Sequence, residues 1–367
     1  MRILHILNHI NQSGNGIVNV AVDLACLQAK AGHDAAIAAA DGKYQPLLNE
    51  YGVKYFQLNQ NRTFSNLIKS AKTFRHIVKT FQPDIVHAHM MTGVVLAKVL
   101  RVNADYGLVS TVHNEFQRSA VLMGWADRVI AVSQAVADSM QSRGTPHHKL
   151  RVVRNGTSGS PRIQPLTSYT PQPLQRPAIT TVAGMYQRKG IAELIAAFSQ
   201  VAADFPTAHL YLVGDGPDRG SFEAQAQQTA VADRIHFEGF QSEPQRYLLA
   251  TDIFVLASHQ EPFALALCEA REAGCAVVAS AVDGSPELLE HGKAGILVPS
   301  RSSDALANVL TKLLSNPDDL SHWKTCAQQN IDWLSVDRVH AETLEIYREL
   351  NPASTSKQLI SVRNVQF

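Results

Sequence analysis

The sequence predicts an α/β protein of two doubly wound domains, and three observations carry that reading. The chain has 367 residues, of which 45% are hydrophobic, which is too long for one ordinary core and apolar enough for two. Short apolar runs alternate with segments of helical spacing in both halves. Runs that are apolar throughout, rather than at every second residue, belong to parallel sheets covered on both faces. Between the halves, residues 156–177 break the pattern. This stretch, from Gly156-Thr-Ser-Gly-Ser-Pro to Pro171-Gln-Pro-Leu-Gln-Arg-Pro177, is rich in the residues of loops and linkers. The expected organisation is a first domain over 1–160, a linker over 161–177 and a second domain over 178–328. A helical segment over 329–350 and a polar tail over 351–367 follow.

The elements of the first half run in order. Arg2–Leu7 is a buried strand, and Asn19–Ala31 is a helix stopped by Gly32. Asp34–Ala40 is a strand, Leu67–Phe81 a helix, and Pro83–His89 a short strand opening into a loop. Leu108–Val112 and Arg128–Val132 are strands, and Ser133 caps a helix reaching Arg143. In the second half the strands are Ala178–Val182, Ala208–Val213, Arg234–Phe237, Ile253–Leu256 and Ala276–Ser280. The helices are Ile191–Phe205, Asp218–Thr229, Ser242–Ala250, Pro262–Ala273, Ser285–Glu290 and Ser302–Leu314.

Composition removes several classes. Cys26, Cys268, Cys275 and Cys326 form no CxxC pair and fit neither a zinc site nor a disulfide framework; they read as small buried hydrophobes of a reducing compartment. The first residues form a strand-length run with no signal-peptide cleavage pattern, and no run approaches the ~20 apolar residues of a membrane span. A cytoplasmic protein is expected, with peripheral attachment at the inner membrane surface left open. Charge is uneven: residues 1–160 hold 17 Lys and Arg against 9 Asp and Glu, a balance of +8, while residues 161–367 hold 16 against 23, a balance of −7. A basic half points to an anionic partner. In Leu67–Phe81, Lys69, Lys72, Arg75, His76 and Lys79 line one side; Leu67, Ile68, Ala71, Phe74, Ile77, Val78 and Phe81 line the other. Such a helix covers a core or lies on an anionic membrane.

The sharpest motif is Ser258-His-Gln-Glu261-Pro-Phe-Ala-Leu-Ala-Leu-Cys-Glu269. A strand ends, a loop delivers Glu261, and a helix begins, with Glu269 about two turns in. Ligands of open α/β sheets bind beyond the carboxyl ends of strands, where helix-start amides also point. Carboxylates there suit the hydroxyls of a sugar or ribose. Other turns of the same kind are Gly14-Asn-Gly16, Val112-His113-Asn114 and Val213-Gly214-Asp-Gly216-Pro217; His87 and His89 end another strand.

Together these motifs resemble the GT-B retaining glycosyltransferases of family 4 (group 1), through the E-x7-E signature and several landmarks in order. These are Pro83-Asp-Ile-Val-His-Ala-His89, Ala126-Asp-Arg-Val-Ile-Ala-Val-Ser133, Val213–Pro217, Ala279-Ser-Ala-Val-Asp-Gly-Ser-Pro-Glu287 and Gly292-Lys-Ala-Gly-Ile-Leu-Val-Pro299. The resemblance implies a GT-B fold, two Rossmann-like domains facing across a cleft, with the C-terminal helix returning to the first. It implies that Glu261 contacts donor-sugar hydroxyls and Glu269 the ribose, with the amides of Phe263, Ala264 and Leu265 beside the sugar and diphosphate. His113 meets the sugar, Gly14, Gly16, Gly214 and Gly216 approach the nucleotide, and Lys189 grips the diphosphate. Two departures stand out. Ala264 replaces a common Gly, and in Ala183-Gly184-Met-Tyr-Gln-Arg188-Lys189-Gly190 the usual Arg is replaced by Gly184, leaving open whether the adjacent Arg188 substitutes for it or is a solvated basic residue.

The implied activity is retaining transfer from a nucleotide-diphosphate sugar, UDP ahead of GDP, to an acceptor glycan or lipid-linked sugar. Neither metal nor cofactor is expected: no DxD-like pair is present, Asp318-Asp319 being read as part of a turn between helices. No nucleic-acid partner is expected. Three readings stay beside it: a sugar-nucleotide-binding subunit of little activity, an NAD-type enzyme imitated by Gly14-x-Gly16 and Asp41, and a GT-B epimerase needing no acceptor.

Overall fold

A computed structural model describes residues 1–351 except 13, 62 and 102–103; nearly all of the predicted tail lies outside the described residues. The chain divides into two units, neither of them contiguous: residues 1–155, 160–162 and 336 onward form the first, and residues 156–159 and 163–335 form the second.

The first unit is built on a seven-stranded sheet. Its strands are β1 (Arg2–His9), β2 (Asp34–Ala40), β3 (Lys54–Gln57), β4 (Ile85–Ala88), β5 (Gly107–Val112), β6 (Arg128–Ala131) and β7 (Leu150–Val152), in the order β3-β2-β1-β4-β5-β6-β7. Every pairing is parallel. The central strands are apolar because both their faces are covered; Ile3, Leu4, Ile6 and Leu7 are fully buried. The second unit repeats the plan with β8 (Ala178–Val182), β9 (His209–Val213), β10 (Ile235–Gly239), β11 (Ile253–Leu256), β12 (Ala276–Ser280) and β13 (Ile296–Val298). Their order is β10-β9-β8-β11-β12-β13, again all parallel. Both are Rossmann-like orders, in which the chain reverses direction beside the first strand. The switch points lie between β1 and β4 and between β8 and β11.

Several boundaries differ from expectation for local reasons. The first helix starts earlier, at Gly16, because the Asn15 side chain accepts from the Ile17 amide at 3.0 Å and caps it. The short edge strands β3, β7 and β13 and the helices Gln45–Glu50 and Met91–Val99 have no counterpart in the sequence reading. Residues 163–177 belong to the second unit and are not a separate connector. They are tied down by Gln172 N to Arg246 O (2.8 Å), Gln175 N to Tyr211 Oη (2.9 Å) and the Arg176 guanidinium to Asp252. Asp318 and Asp319 lie in the first turn of a helix, Pro317–Gln328, where Asn316 Oδ1 accepts from both amides.

The helix Val336–Leu350 belongs to the first unit. Val339, Leu344, Ile346 and Tyr347 are buried, Glu349 receives Arg128 and Arg151, each at 2.7 Å, and Arg338 donates to the Arg154 carbonyl at 2.7 Å. The other returning segment is held by Asp23, whose carboxylate takes Ser160 Oγ (2.7 Å) and two Arg162 nitrogens (2.8 and 2.9 Å).

In the helix Phe64–Phe81 the apolar residues divide. Phe74, Ile77 and Phe81 are buried, but Leu67 and Ile68 are 51% and 49% exposed. Of the two readings of this helix, covering a core holds for Phe74, Ile77 and Phe81 and not for Leu67 and Ile68. They sit in the first half of the helix beside Lys69 and Lys72, and the packing face begins later. Among the described residues no helix is long and apolar enough to cross a membrane.

Arg271 organises the second unit from inside. Fully buried, it donates to the carbonyls of Leu288 (2.7 Å), Ala327 (2.9 Å) and Gln329 (2.8 Å) and to Glu290 (2.8 Å). It thereby clamps the helix Leu265–Glu272 to the segment that leads out of this unit. Arg271→Met leaves these acceptors buried without their donor. The expected loss is about 3–5 kcal/mol of stability, read as a lower denaturant midpoint for the second unit.

Candidate functional site

In the second unit the expected residues converge at the switch point. Lys189 ends a 3-10 turn after β8, Glu261 follows β11, and their side chains form a largely buried ion pair. Ser258 Oγ donates to the same Glu261 oxygen at 3.1 Å. The backbone fixes the loop from both sides: Glu261 N donates to Asp283 Oδ2 (2.6 Å), Gly284 N to Glu261 O (3.1 Å) and His259 N to Arg188 O (2.7 Å). Gly190 closes the approach with φ +67; a β-carbon there would overlap the Ala257 carbonyl, so the turn carrying Lys189 lies directly on the β11 loop. Beside it, Ser285 Oγ is buried with no hydrogen-bond partner among the described atoms.

The helix after Glu261 begins later than expected. Ala264 is the extended N-cap and the helix spans Leu265–Glu272, so Glu269 stands one turn in, half-buried. Phe263 and Ala264 are buried in the approach. The amides at such a start have no acceptor within the helix.

The glycines of 213–217 have a structural task. Gly214 has φ +139, and a β-carbon there would collide with the Ala183 carbonyl. Ala183 N donates to Val213 O (3.0 Å), Met185 N to Asp215 O (3.0 Å) and Gln187 N to Asp218 Oδ2 (2.8 Å). At Gly216 a β-carbon would press on the backbone of Met185. Gly214 and Gly216 therefore hold the β9 loop against the β8 loop that carries Lys189. Gly184 has another neighbour: a β-carbon there would lie 2.8 Å from the Tyr186 ring, and the Arg188 guanidinium stands 5.5 Å from that ring's centre. The sequence change at 184 is thus paired with an aromatic ring and a stacked arginine three-dimensionally beside it.

In the first unit the β1 loop leads through Gly14 (φ +67) into the helix starting at Gly16. Asn19, in place of a third fingerprint glycine, accepts from Tyr44 Oη at 2.9 Å, and Asp41 is occupied by Tyr55 Oη (2.9 Å) and Gln57 Nε2 (3.0 Å). His113 follows β5 and meets His89, with His89 Nδ1 to His113 Nε2 at 3.2 Å.

Sequence reasoning missed what lies behind His113. His5 on β1 stands opposite His87 on β4, and side chains two residues apart share a sheet face, which adds His89, Thr111 and His113. His5 Nδ1 pairs with His89 Nε2 (2.9 Å) and His5 Nε2 with Gln28 Oε1 (2.8 Å). His87 pairs with Tyr347 Oη (2.6 Å) and Thr111 Oγ1 (2.7 Å). One nitrogen each from His5, His87 and His89 lies within 4.8 Å of the others. The rings, however, are stacked, at 23° for His5 with His89 and 29° for His87 with His89, and every one of their six nitrogens has a protein partner. The cluster is built as a hydrogen-bond network. A signal was available: His5 stands alone among the apolar Ile3, Leu4, Ile6 and Leu7 of β1, and a buried polar group requires a partner.

Burial pushes these imidazoles down, His5 to about 4 and His113 to about 3, with His87 and His89 well below their ordinary 6.5. They are neutral at pH 7.

With the geometry in place, two family models match: the group 1 glycosyl transferases over residues 169–330 and glycosyltransferase family 4 over residues 14–158. This chain belongs to the family 4, group 1 glycosyltransferases. Among relatives of this family member, a lipopolysaccharide core biosynthesis glycosyltransferase of Rhizobium meliloti, LpsE, is 24% identical over 190 residues, covering 52% of this chain and 54% of its own. A putative colanic acid biosynthesis glycosyltransferase of Escherichia coli, WcaL, is 28% identical over 270 residues, 67% of this chain and 64% of its own. The match therefore spans little more than half of the first and under two thirds of the second. The crystal structure of Anabaena Alr3699/HepE with UDP and glucose superposes with a TM-score of 0.80 at 22% identity, over 94% of this chain and 98% of that one, which shows a shared GT-B fold.

The histidine cluster has a thermodynamic consequence. Each of these groups has a folded pKa below its unfolded value, so the unfolded chain binds more protons between the two values. Stability is therefore full above about pH 6.5 and is lost as pH falls toward 4. The first unit should lose up to about 1.4 kcal/mol per pH unit for each histidine protonated on unfolding. Denaturant midpoints at pH 7.5, 6 and 5 measure this, and a flat profile over that range contradicts it.

Proposed function

We propose that this protein transfers a sugar from a nucleotide-diphosphate sugar, with a UDP-sugar favoured over a GDP-sugar, to a glycan or lipid-linked acceptor, retaining the anomeric configuration. The observation that carries the reading is the buried Lys189–Glu261 pair at the switch point of the second sheet, beside the start of the helix bearing Glu269. A cation and a carboxylate that reach one point suit a ligand with a diphosphate and sugar hydroxyls. The relatives named for lipopolysaccharide and colanic acid synthesis, and the UDP and glucose in the HepE crystals, support the choice of donor and of a glycan acceptor.

In this mechanism Lys189 leaves its ion pair to meet the developing charge of the leaving diphosphate, helped by the amides of Phe263, Ala264 and Leu265. Glu261 accepts hydrogen bonds from sugar hydroxyls and Glu269 from the ribose, and His113, a neutral imidazole, meets the sugar. Gly14 and Gly16 let the backbone approach the nucleotide. No metal is invoked, because cations and helix-start amides handle the charge. Arg188, held over Tyr186, takes the place of the family's missing arginine. The weaker reading, a binding subunit of low activity, has one observation behind it, the Tyr186 ring beside Gly184.

Thermal stabilisation by UDP, GDP, ADP and their sugars tests the donor. A ligand near a hundredfold above its Kd stabilises by about 2.7 kcal/mol, a shift of several degrees. The expected result is a shift with uridine ligands that disappears in Glu269→Ala; no shift with any nucleotide removes the reading. Arg188→Ala should lower kcat/KM roughly a hundredfold with nucleotide binding still measurable. A change within twofold, or no transfer by the parent, favours the binding subunit. Retention is read from the anomeric configuration of the product by NMR.

For the acceptor side we propose contact with an anionic membrane surface through Leu67, Ile68 and the neighbouring Lys69, Lys72, Arg75 and Lys79. Co-sedimentation with vesicles containing anionic lipid should be salt-sensitive and should fall severalfold in the double variant Leu67→Ser, Ile68→Ser. Equal binding of parent and variant contradicts it.

A further inference from the structure

A buried amide two imidazoles away from His113 has a direction, and that direction passes along the network. The Gln28 side chain comes from the helix Gly16–Lys30 and is fully buried between His5 and Tyr347. Its Nε2 lies 3.5 Å from Tyr347 Oη and its Oε1 2.8 Å from His5 Nε2. An amide oxygen only accepts, so His5 Nε2 carries the hydrogen. In a neutral ring the other nitrogen then has only a lone pair, so His5 Nδ1 accepts from His89 Nε2–H across 2.9 Å. The same logic makes His89 Nδ1 the acceptor for His113 Nε2–H across 3.2 Å. Each ring is left with one choice once the ring behind it is set. The side branch agrees: Tyr347 takes a Gln28 amide hydrogen and gives its own to His87 Nδ1, leaving His87 Nε2–H for Thr111 Oγ1.

We propose that Gln28 is a positioning residue that sets the tautomer of His113 through the His5–His89 relay, so that His113 offers the lone pair of Nδ1 as a hydrogen-bond acceptor. The ligand chemistry this selects is a hydroxyl that donates, such as one on the donor sugar. That last step rests on the donor reading given above; the tautomer itself does not. His113 alone, as a strand-end imidazole, could present either a donor or an acceptor, and the two forms of neutral imidazole differ little in free energy. A fixed neighbour is what makes it one of them. The arrangement also explains why three histidines stand in the interior of a sheet that is otherwise apolar on both sides of β1. They transmit orientation, which a Leu or Val there cannot do.

The experiment is a long-range proton–nitrogen NMR correlation on the full protein with labelled histidine, at pH 7. The expected pattern for His5, His89 and His113 is the neutral Nε2–H form. His113 as the Nδ1–H form, as a cation or as an even mixture overturns the proposal in the unmodified protein, before any variant is made. Gln28→Met removes both polar atoms at similar volume. With the amide spectrum showing it folded, His113 should move to a mixture of tautomers, and kcat/KM for the donor sugar should fall on the order of tenfold while the affinity for the free nucleotide stays within twofold. An unchanged His113 spectrum in folded Gln28→Met overturns the relay. A changed spectrum with unchanged transfer leaves the relay standing and removes His113 from the donor reading, so the two failures are told apart. A nucleotide affinity that falls in parallel with transfer marks Gln28 as a general packing residue and overturns its positioning role.

Discussion

Parallel strands joined by crossovers impose one constraint on everything else in this molecule: all their carboxyl ends lie at the same edge of the sheet. In each unit the chain winds outward from a central strand in one direction and then in the other. The loops after the two strands that flank the reversal are thus the only adjacent loops not bridged by a helix. Residues from distant parts of the sequence meet there by construction. Lys189 follows β8 and Glu261 follows β11, and these are the two flanking strands of the second sheet. His5 lies on β1 and His87 on β4, the two flanking strands of the first.

What was legible in the sequence follows from the same constraint. Strands buried on both faces announce themselves as apolar runs, and β2, β8, β11 and β12 have the expected bounds. The short edge strands β3, β7 and β13 hold three or four residues, with too little apolar sequence for a period to show. The helix Met91–Val99 is apolar nearly all round and carries Gly93 packed on Ile6 and Ala88, so it has no polar stripe to mark it. Glu261 and Lys189 were legible as motif residues, but their pairing was not, because 72 residues separate them. The replacement at Gly184 was visible, while the Tyr186 ring beside it was not, since ring placement depends on the fold of the turn. The relay was least legible. Gln28 and Tyr347 are 319 residues apart, and no local pattern marks a glutamine in a helix as a partner for a histidine in a strand.

The two units treat buried polarity differently. In the second, Lys189 and Glu261 at the switch point are opposite charges held in one largely buried ion pair. In the first they are neutral and locked into a directional chain, with burial keeping the rings from taking up protons. A charge can serve at a distance and from several directions; a lone pair serves only along its own axis. The first kind of site tolerates loop movement, and the second demands the rigidity of a sheet interior.

The helix Val336–Leu350 carries a further implication for how the molecule comes into being. Tyr347 completes the bonding of His87, yet it is synthesised after every residue of the second unit. Throughout that interval the nascent first unit lacks the helix that buries Val339, Leu344, Ile346 and Tyr347, and His87 lacks one partner. Its closure therefore waits until the chain beyond the second unit has been made. A chain cut short before residue 336 therefore carries the seven strands of the first sheet without the helix that completes their unit.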